Sequence, residues 1–140
     1  MGTILCALDG SPRAPAVLAT AVDLARKLGD RLWLFRAVGL PTELPKEAFT
    51  VAPADLGGLL LEHARAELEA LTLDVPGELV AQRSVELGMP WESICRAART
   101  AGAELIVIGA HGYGLIERVL GTTAAKVVNH ADRSVLVVRR

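Results

Sequence analysis

The sequence contains few of the side chains that build disulfide frameworks and metal centres. It has 2 cysteines and 3 histidines in 140 residues, and Cys6 and Cys95 stand alone, without a Cys-x-x-Cys pair or a Cys/His cluster. A structural zinc site needs about four ligands at characteristic spacings, and a disulfide scaffold needs a dense set of cysteines. The pattern therefore predicts two buried, reduced thiols, with no cross-link and no metal site.

The chain also lacks a charge excess and a long apolar run. Its formal net charge is −1, which excludes the basic surface typical of proteins that bind nucleic acid or acidic membranes. No apolar stretch approaches the roughly 18 residues of a transmembrane helix, and Met1-Gly2-Thr3 leads into a strand and not into a signal sequence. We therefore expect a cytoplasmic protein with no membrane or nucleic acid partner.

The length and the 51% hydrophobic content predict one domain, residues 1–140, with a sizeable core.

Short apolar runs alternate along the chain with amphipathic, helix-like stretches. Helices are predicted to begin near Ser11-Pro12, at Pro53, at Pro90 and at Gly121-Thr122, the first with Ser11 as its N-cap and Gly29 as its stop. This alternation favours an open, parallel α/β sheet of five strands with helices on both faces. The predicted strands are Thr3–Leu8, Arg31–Val38, Glu78–Val85, Leu105–Ile108 and Ser134–Val138.

Two glycine clusters bracket the connection that follows the fourth predicted strand. Gly109, Gly112 and Gly114 follow its apolar run, and Gly121-Thr122-Thr123 opens the last predicted helix. Glycines let backbone N–H groups approach a phosphate, and the first turn of a helix and threonine hydroxyls supply further donors. The pattern favours an anion-binding cradle, although glycine is also the ordinary residue of a tight strand-to-helix turn. The dinucleotide fingerprint and the P-loop are both absent.

Two other polar residues invite a functional interpretation. Asp9 follows the first predicted strand, at the edge of the sheet where ligand crevices of open α/β folds lie. The alternative, that Asp9 only caps a turn, is equally open. His63 has no matching acid or nucleophile in the sequence pattern, so it is interpreted as structural.

Several motifs together resemble the universal stress protein family over essentially the whole chain. They are Ala7-Leu-Asp9-Gly-Ser11, Gly88-x-Pro90, Leu105-Ile-Val-Ile-Gly109-Ala-His-Gly112, Gly121-Thr122 and Ser134-Val-Leu-Val-Val138. The resemblance implies a parallel sheet in the order 3-2-1-4-5 and a binding site for ATP, with or without Mg²⁺. It places Ala7, Asp9 and the backbone of Ala37 at the adenosine end, Ile108, Gly109, His111 and Gly112 along the ribose and phosphates, and Gly121, Thr122 and Thr123 at the phosphate chain.

One spacing departs from the family pattern. Eight residues, 113 to 120, separate Gly112 from Gly121, where the ATP-binding members of the family have nine. Each residue of a helix turns the chain by about 100°. The cradle is therefore retained only if the loop absorbs the missing residue.

Two functions follow from the resemblance. The first is a cytoplasmic stress-response module that binds ATP or a related adenine nucleotide as a regulatory ligand, with at most slow hydrolysis, because no motif places a nucleophile or a general base. The alternative is a dimeric, stress-associated interaction protein that binds no nucleotide. An adenylyl-transferring synthetase would need a His-x-Gly-His signature, which the sequence lacks. In both functions the resemblance implies a homodimer through the valine-rich terminal strand 134–138, which would otherwise be an open sheet edge, and an unidentified protein partner.

Overall fold

The computed structural model describes residues 2–39, 53–110 and 120–139, which form a parallel sheet between two layers of helices. The helices are α1 (Ala14–Leu28), α2 (Pro53–Leu71), α3 (Pro90–Ala101) and α4 (Thr122–His130). The strands are β1 (Thr3–Ala7), β2 (Arg31–Val38), β3 (Val80–Leu87), β4 (Leu105–Gly109) and β5 (Ser134–Val138). They pair side by side, all parallel, in the order β3-β2-β1-β4-β5. The predicted fold class and strand order are confirmed.

Alternating side chains along the strands divide the core into two layers. Ile4 and Cys6 of β1 pack on the side of α1 and α2, whereas Leu5 packs on the side of α3 and α4. Leu34 in the first layer and Ile106 in the second are both 0% exposed. Because both faces of the sheet are covered, the central strands β1 and β4 are apolar on both sides, and this is why both are continuous apolar runs in the sequence.

The first helix begins later than the sequence predicts. Ser11 was expected to be its N-cap, but α1 begins at Ala14 with Arg13 as the N-cap. The Asp9 carboxylate accepts a hydrogen bond of 2.9 Å from the Ser11 N–H, and the Ser11 hydroxyl accepts one of 3.3 Å from the Arg13 N–H. These side-chain bonds hold residues 9–13 in a turn, so the helix starts only after it. The predicted stop is right, because Gly29 lies in the left-handed region with φ 69°.

The third strand is displaced from its predicted position, Glu78–Val85, to Val80–Leu87. Residues 77–79 instead form a 3₁₀ turn, in which the Leu79 N–H donates to the Pro76 carbonyl at 2.9 Å. From there, β3 pairs with β2 until Leu87 lies opposite Val38. The two strands therefore end together.

The two cysteines are free and buried, as predicted. Burial raises the pKa of Cys6 to about 12 and also raises the pKa of Cys95. Both thiols are therefore protonated, unreactive parts of the core at neutral pH.

The middle of the sheet contains a topological switch point. β1 and β4 lie side by side, while the chain leaves β1 towards β2 and leaves β4 towards β5. In open α/β sheets, ligands bind in the crevice that such a reversal leaves at the carboxyl ends of the strands. None of the helices in the described part of the chain combines the length and apolar character that a membrane crossing demands.

Candidate functional site

A cavity of about 680 Å³ lies over the switch point. The carboxyl ends of β1, β2 and β4 form its floor, and the first residues of α1, α3 and α4 form its walls. Binding sites for small molecules commonly have volumes of about 300–1,000 Å³, so the cavity is large enough for a nucleotide. Its lining residues are Leu8, Asp9, Gly10, Ser11, Pro12, Ala14, Val17, Arg36, Ala37, Pro90, Ile94, Ile108, Gly109, Thr122, Thr123, Ala124 and Ala7.

Most of the residues predicted to form the site lie together in this cavity. His111 and Gly112 are outside the described residues. Gly121 does not line the cavity. It is the residue just before α4: its N–H donates to the Ala110 carbonyl at 2.9 Å, and its own carbonyl accepts the first hydrogen bond of the helix. The predicted residues that do line the cavity are Ala7, Asp9, Ala37, Ile108, Gly109, Thr122 and Thr123.

The beginning of α4 is open towards the cavity. Gly121 is its N-cap, no side chain caps the helix, and the first turn contains no acidic residue. The first hydrogen bond within the helix runs from the Ala125 N–H to the Gly121 carbonyl at 2.9 Å. The N–H groups of the preceding turn have no acceptor within the helix, and they carry the positive end of the helix dipole. Together with the hydroxyls of Thr122 and Thr123, they provide several donors suited to an anion.

Asp9 caps a turn and also lies at the cavity. Its carboxylate caps the turn after β1 by accepting the Ser11 N–H, and the residue also lines the cavity. Because β1 lies between β2 and β4 in the sheet, Asp9 stands between Ala37 on one side and Gly109 on the other. Within the described residues, no group of three or more His, Cys, Asp or Glu side chains is arranged to hold a metal ion.

Arg36 is a cavity residue that the sequence pattern did not predict. Its Nη1 lies 3.4 Å from Oε1 of Glu67 in α2, and its side chain is only 16% exposed. The same Glu67 oxygen lies 2.8 Å from Nε2 of His63. His63 therefore has an acidic partner that the sequence interpretation did not find. The available signal was an arginine near the carboxyl end of a mainly apolar strand, between Phe35 and Ala37.

A model of the universal stress protein family matches residues 1–139. The chain belongs to this family. A universal stress protein of Thermus aquaticus is 37% identical over 140 residues, which cover 98% of each chain. The universal stress protein Sll1388 of Synechocystis is 30% identical over 150 residues, covering 99% of this chain and 97% of its own.

Solved structures of universal stress proteins have the same fold. The protein UspA of Lactobacillus plantarum superimposes with a TM-score of 0.80 at 26% identity, covering 98% of this chain and 97% of its own. One universal stress protein solved in complex with cAMP has a TM-score of 0.64 at 20% identity, over 98% and 96% of the two chains. Another, from Archaeoglobus fulgidus in complex with dAMP, has a TM-score of 0.56 at 22% identity, over 98% and 96%. At these identities, the two complexes show a shared fold.

Proposed function

We propose that this universal stress protein binds ATP or a related adenine nucleotide as a regulatory ligand, in the cavity over the switch point. The observation that carries the proposal is the junction of β4 and α4, where Gly109, Thr122 and Thr123 meet at one end of the cavity. Glycine permits close approach of backbone donors, and the open helix start favours negative charge. The cAMP and dAMP complexes support the proposal, because those two proteins hold adenine nucleotides on the same fold.

The order of the strands suggests how the nucleotide lies. The phosphates would contact the beginning of α4, and the base would lie at the opposite end of the cavity, beside the backbone of Ala37. Asp9 lies between these ends, where a carboxylate can accept hydrogen bonds from the sugar hydroxyls. Mg²⁺ would travel with the phosphates, since it usually keeps most of its ligands from phosphate and water.

The proposed role of the nucleotide is that of a signal. A ligand in this position would contact the ends of β1, β2 and β4 and the start of α4 at the same time. Occupancy would then change the stability of this edge of the sheet, and a protein partner of the stress response would recognise the difference. We assign no catalytic residue.

Calorimetric titration of nucleotide-stripped protein with ATP and Mg²⁺ tests the proposal, alongside thermal unfolding. We expect about one nucleotide per chain and, at a hundredfold excess of ligand over Kd, stabilisation by about 2.7 kcal/mol. Adenosine and tripolyphosphate serve as matched ligands, because each occupies only one of the two proposed ends and should bind more weakly than ATP. No heat, no shift in Tm and no nucleotide released from denatured protein would contradict the proposal and favour the alternative function, an interaction protein without a ligand.

We also propose that the chain forms a homodimer through β5. This strand pairs with β4 on one side only, and its residues 135–138 are partly buried and apolar. Exposed edges of this kind are usually covered, charged or paired, and a second copy of the same strand would cover this one. Sedimentation velocity at micromolar concentrations should give twice the monomer mass. A monomer at tens of micromolar would contradict the dimer.

A further inference from the structure

Arg36 is a mostly buried cation at the edge of the proposed nucleotide site. It lies beside Ala37 in β2, and it lines both the main cavity and a smaller one of about 170 Å³. The turn that follows β1, residues 9–12, lines both cavities as well. Arg36 and this turn therefore belong to the wall that the two cavities share.

Gly10 lies directly against the guanidinium group. A Cβ atom at Gly10 would be 3.0 Å from Nη2 of Arg36 and 3.6 Å from Oε2 of Glu67. The φ angle of Gly10 is not positive, so its backbone conformation is one that other residues adopt readily. A side chain at this position would have to displace the guanidinium group slightly, so Arg36 and the turn lie close together on the side of α2.

Glu67 holds Arg36 in this position from α2. Its Oε1 is 3.4 Å from Nη1 of Arg36, and the carboxylate is 40% exposed. His63, one turn earlier in α2, lies 2.8 Å from the same oxygen and orients the carboxylate. The end of α2 is in turn fixed to β3, because Nε of Arg83 donates to the Thr72 hydroxyl at 2.9 Å. Arg36 is thus held by a helix that is itself anchored to the sheet.

We propose that Arg36 is a positioning residue, which sets the place of the Asp9 carboxylate and thereby the selectivity of the site for nucleotides with free sugar hydroxyls. This inference rests on the proposed function. Asp9 immediately precedes Gly10, where an added Cβ atom would be 3.0 Å from Nη2 of Arg36, and the Asp9 carboxylate accepts a hydrogen bond within the same turn. Displacing the turn therefore displaces the carboxylate relative to a nucleotide whose phosphates are held independently, at the start of α4.

The ratio of two affinities isolates this role. ATP carries the 2′ and 3′ hydroxyls, and 2′,3′-dideoxy-ATP lacks both, while base and phosphates are the same. If Asp9 accepts hydrogen bonds from the hydroxyls, the unaltered protein should bind ATP about tenfold or more tightly than the dideoxy analogue, because bonds to a charged acceptor are among the strong ones. Arg36→Met keeps an unbranched apolar side chain and removes the guanidinium group with its charge. In this variant the ratio of the affinity for ATP to that for the dideoxy analogue should fall about threefold or more. The reason is that the loss of Arg36 and the loss of the sugar hydroxyls both act on the hydrogen bonds of the Asp9 carboxylate.

Two further variants control for general effects on the fold. Gly10→Ala introduces the Cβ atom that meets Arg36, and it should lower the ratio in the same direction. Arg31→Met removes another arginine of β2 at the opposite end of the strand, where Nη2 donates to the Val80 carbonyl at 2.7 Å. It should reduce stability but leave the ratio unchanged. Thermal unfolding of each variant without nucleotide confirms that the binding data come from folded protein.

The outcomes distinguish this inference from the function on which it depends. An unaltered protein that binds neither ligand would refute the proposed function, and with it the role of Arg36. Binding of ATP with a ratio near one, or with the same ratio in the unaltered protein and in Arg36→Met, would overturn the inference and leave the proposed function intact. Equal weakening of both ligands by Arg36→Met would also overturn it, because the residue would then act on the nucleotide as a whole.

Discussion

Replacing Thr122 with aspartate should separate the proposed phosphate site from the stability of the fold. Thr122 is the exposed first residue of α4, and it lines the cavity. A carboxylate in the first turn of a helix interacts favourably with the helix dipole by about 0.3–1 kcal/mol. Without nucleotide, Thr122→Asp should therefore unfold at a temperature about 1–4 °C higher than the unaltered protein.

The same carboxylate should oppose a bound phosphate. At a separation of about 5 Å and an effective dielectric constant of about 20, two like unit charges repel each other by roughly 3 kcal/mol. Affinity for ATP should then fall about a hundredfold. The two effects have opposite signs, so a loss of ATP binding cannot be attributed to a damaged helix.

Calorimetric titration and thermal unfolding measure the two effects on the same samples. Gln82→Glu is a matched control, because it adds one negative charge at an exposed position of β3 with almost no change in shape. It should leave ATP affinity unchanged. Unchanged affinity in Thr122→Asp would refute the placement of the phosphates at α4, and a fall in Tm without nucleotide would refute the description of this helix start as open.

Two further predictions concern the fold that supports the site. The fully buried hydroxyl of Thr72 donates to the Leu68 carbonyl at 2.8 Å and accepts from Nε of Arg83 at 2.9 Å. Because Thr72→Val removes both hydrogen bonds, it should lower the free energy of unfolding by about 2 kcal/mol. Urea denaturation measures this loss, and Thr72→Ser, which keeps the hydroxyl, should lose less; equal losses would contradict the hydrogen-bond account. Burial raises the pKa of Cys6 to about 12. Above about pH 9 the unfolded chain therefore loses the thiol proton while the folded chain keeps it. The free energy of unfolding should then fall by about 1.4 kcal/mol per pH unit up to about pH 12. Cys6→Ala should lack this slope, so its stability deficit, measured by urea denaturation, should shrink between pH 8 and pH 10; a constant deficit would contradict the assignment.

The sheet was predictable because its signal is local. A strand that is covered on both faces is apolar over most of its length, and β1, β2, β4 and β5 appear in the sequence as mainly apolar runs. The strand order came from the family resemblance. β3 was misplaced because it mixes polar and apolar residues: Ala81, Gln82 and Arg83 are exposed, and the strand pairs with β2 as far as Leu87.

The candidate site was predictable where a backbone motif forms it, and not where distant side chains meet. Gly109 and Thr122 could be identified because a strand end and a helix start have recognisable residue patterns. Arg36 and Glu67 are 31 positions apart in sequence number, on different elements, and no spacing rule connects them. The start of α1 was missed for a related reason, since Asp9 and Ser11 form side-chain bonds that compete with the helix.

The two surfaces to which we assign function are connected through the backbone. The Ala110 N–H donates to the carbonyl of Val138, at the end of β5, at 2.8 Å, and the Ala110 carbonyl accepts the N–H of Gly121, just before α4, at 2.9 Å. One residue therefore joins the proposed dimer edge to the proposed phosphate end. If dimerisation through β5 changes the position of Ala110, the affinity for the nucleotide should change as well. Binding linkage is reciprocal, so the nucleotide must then change the affinity of the dimer by the same factor. On this geometry, the proposed nucleotide site and the proposed dimer surface would be coupled through Ala110, and the nucleotide would act by shifting the dimer equilibrium.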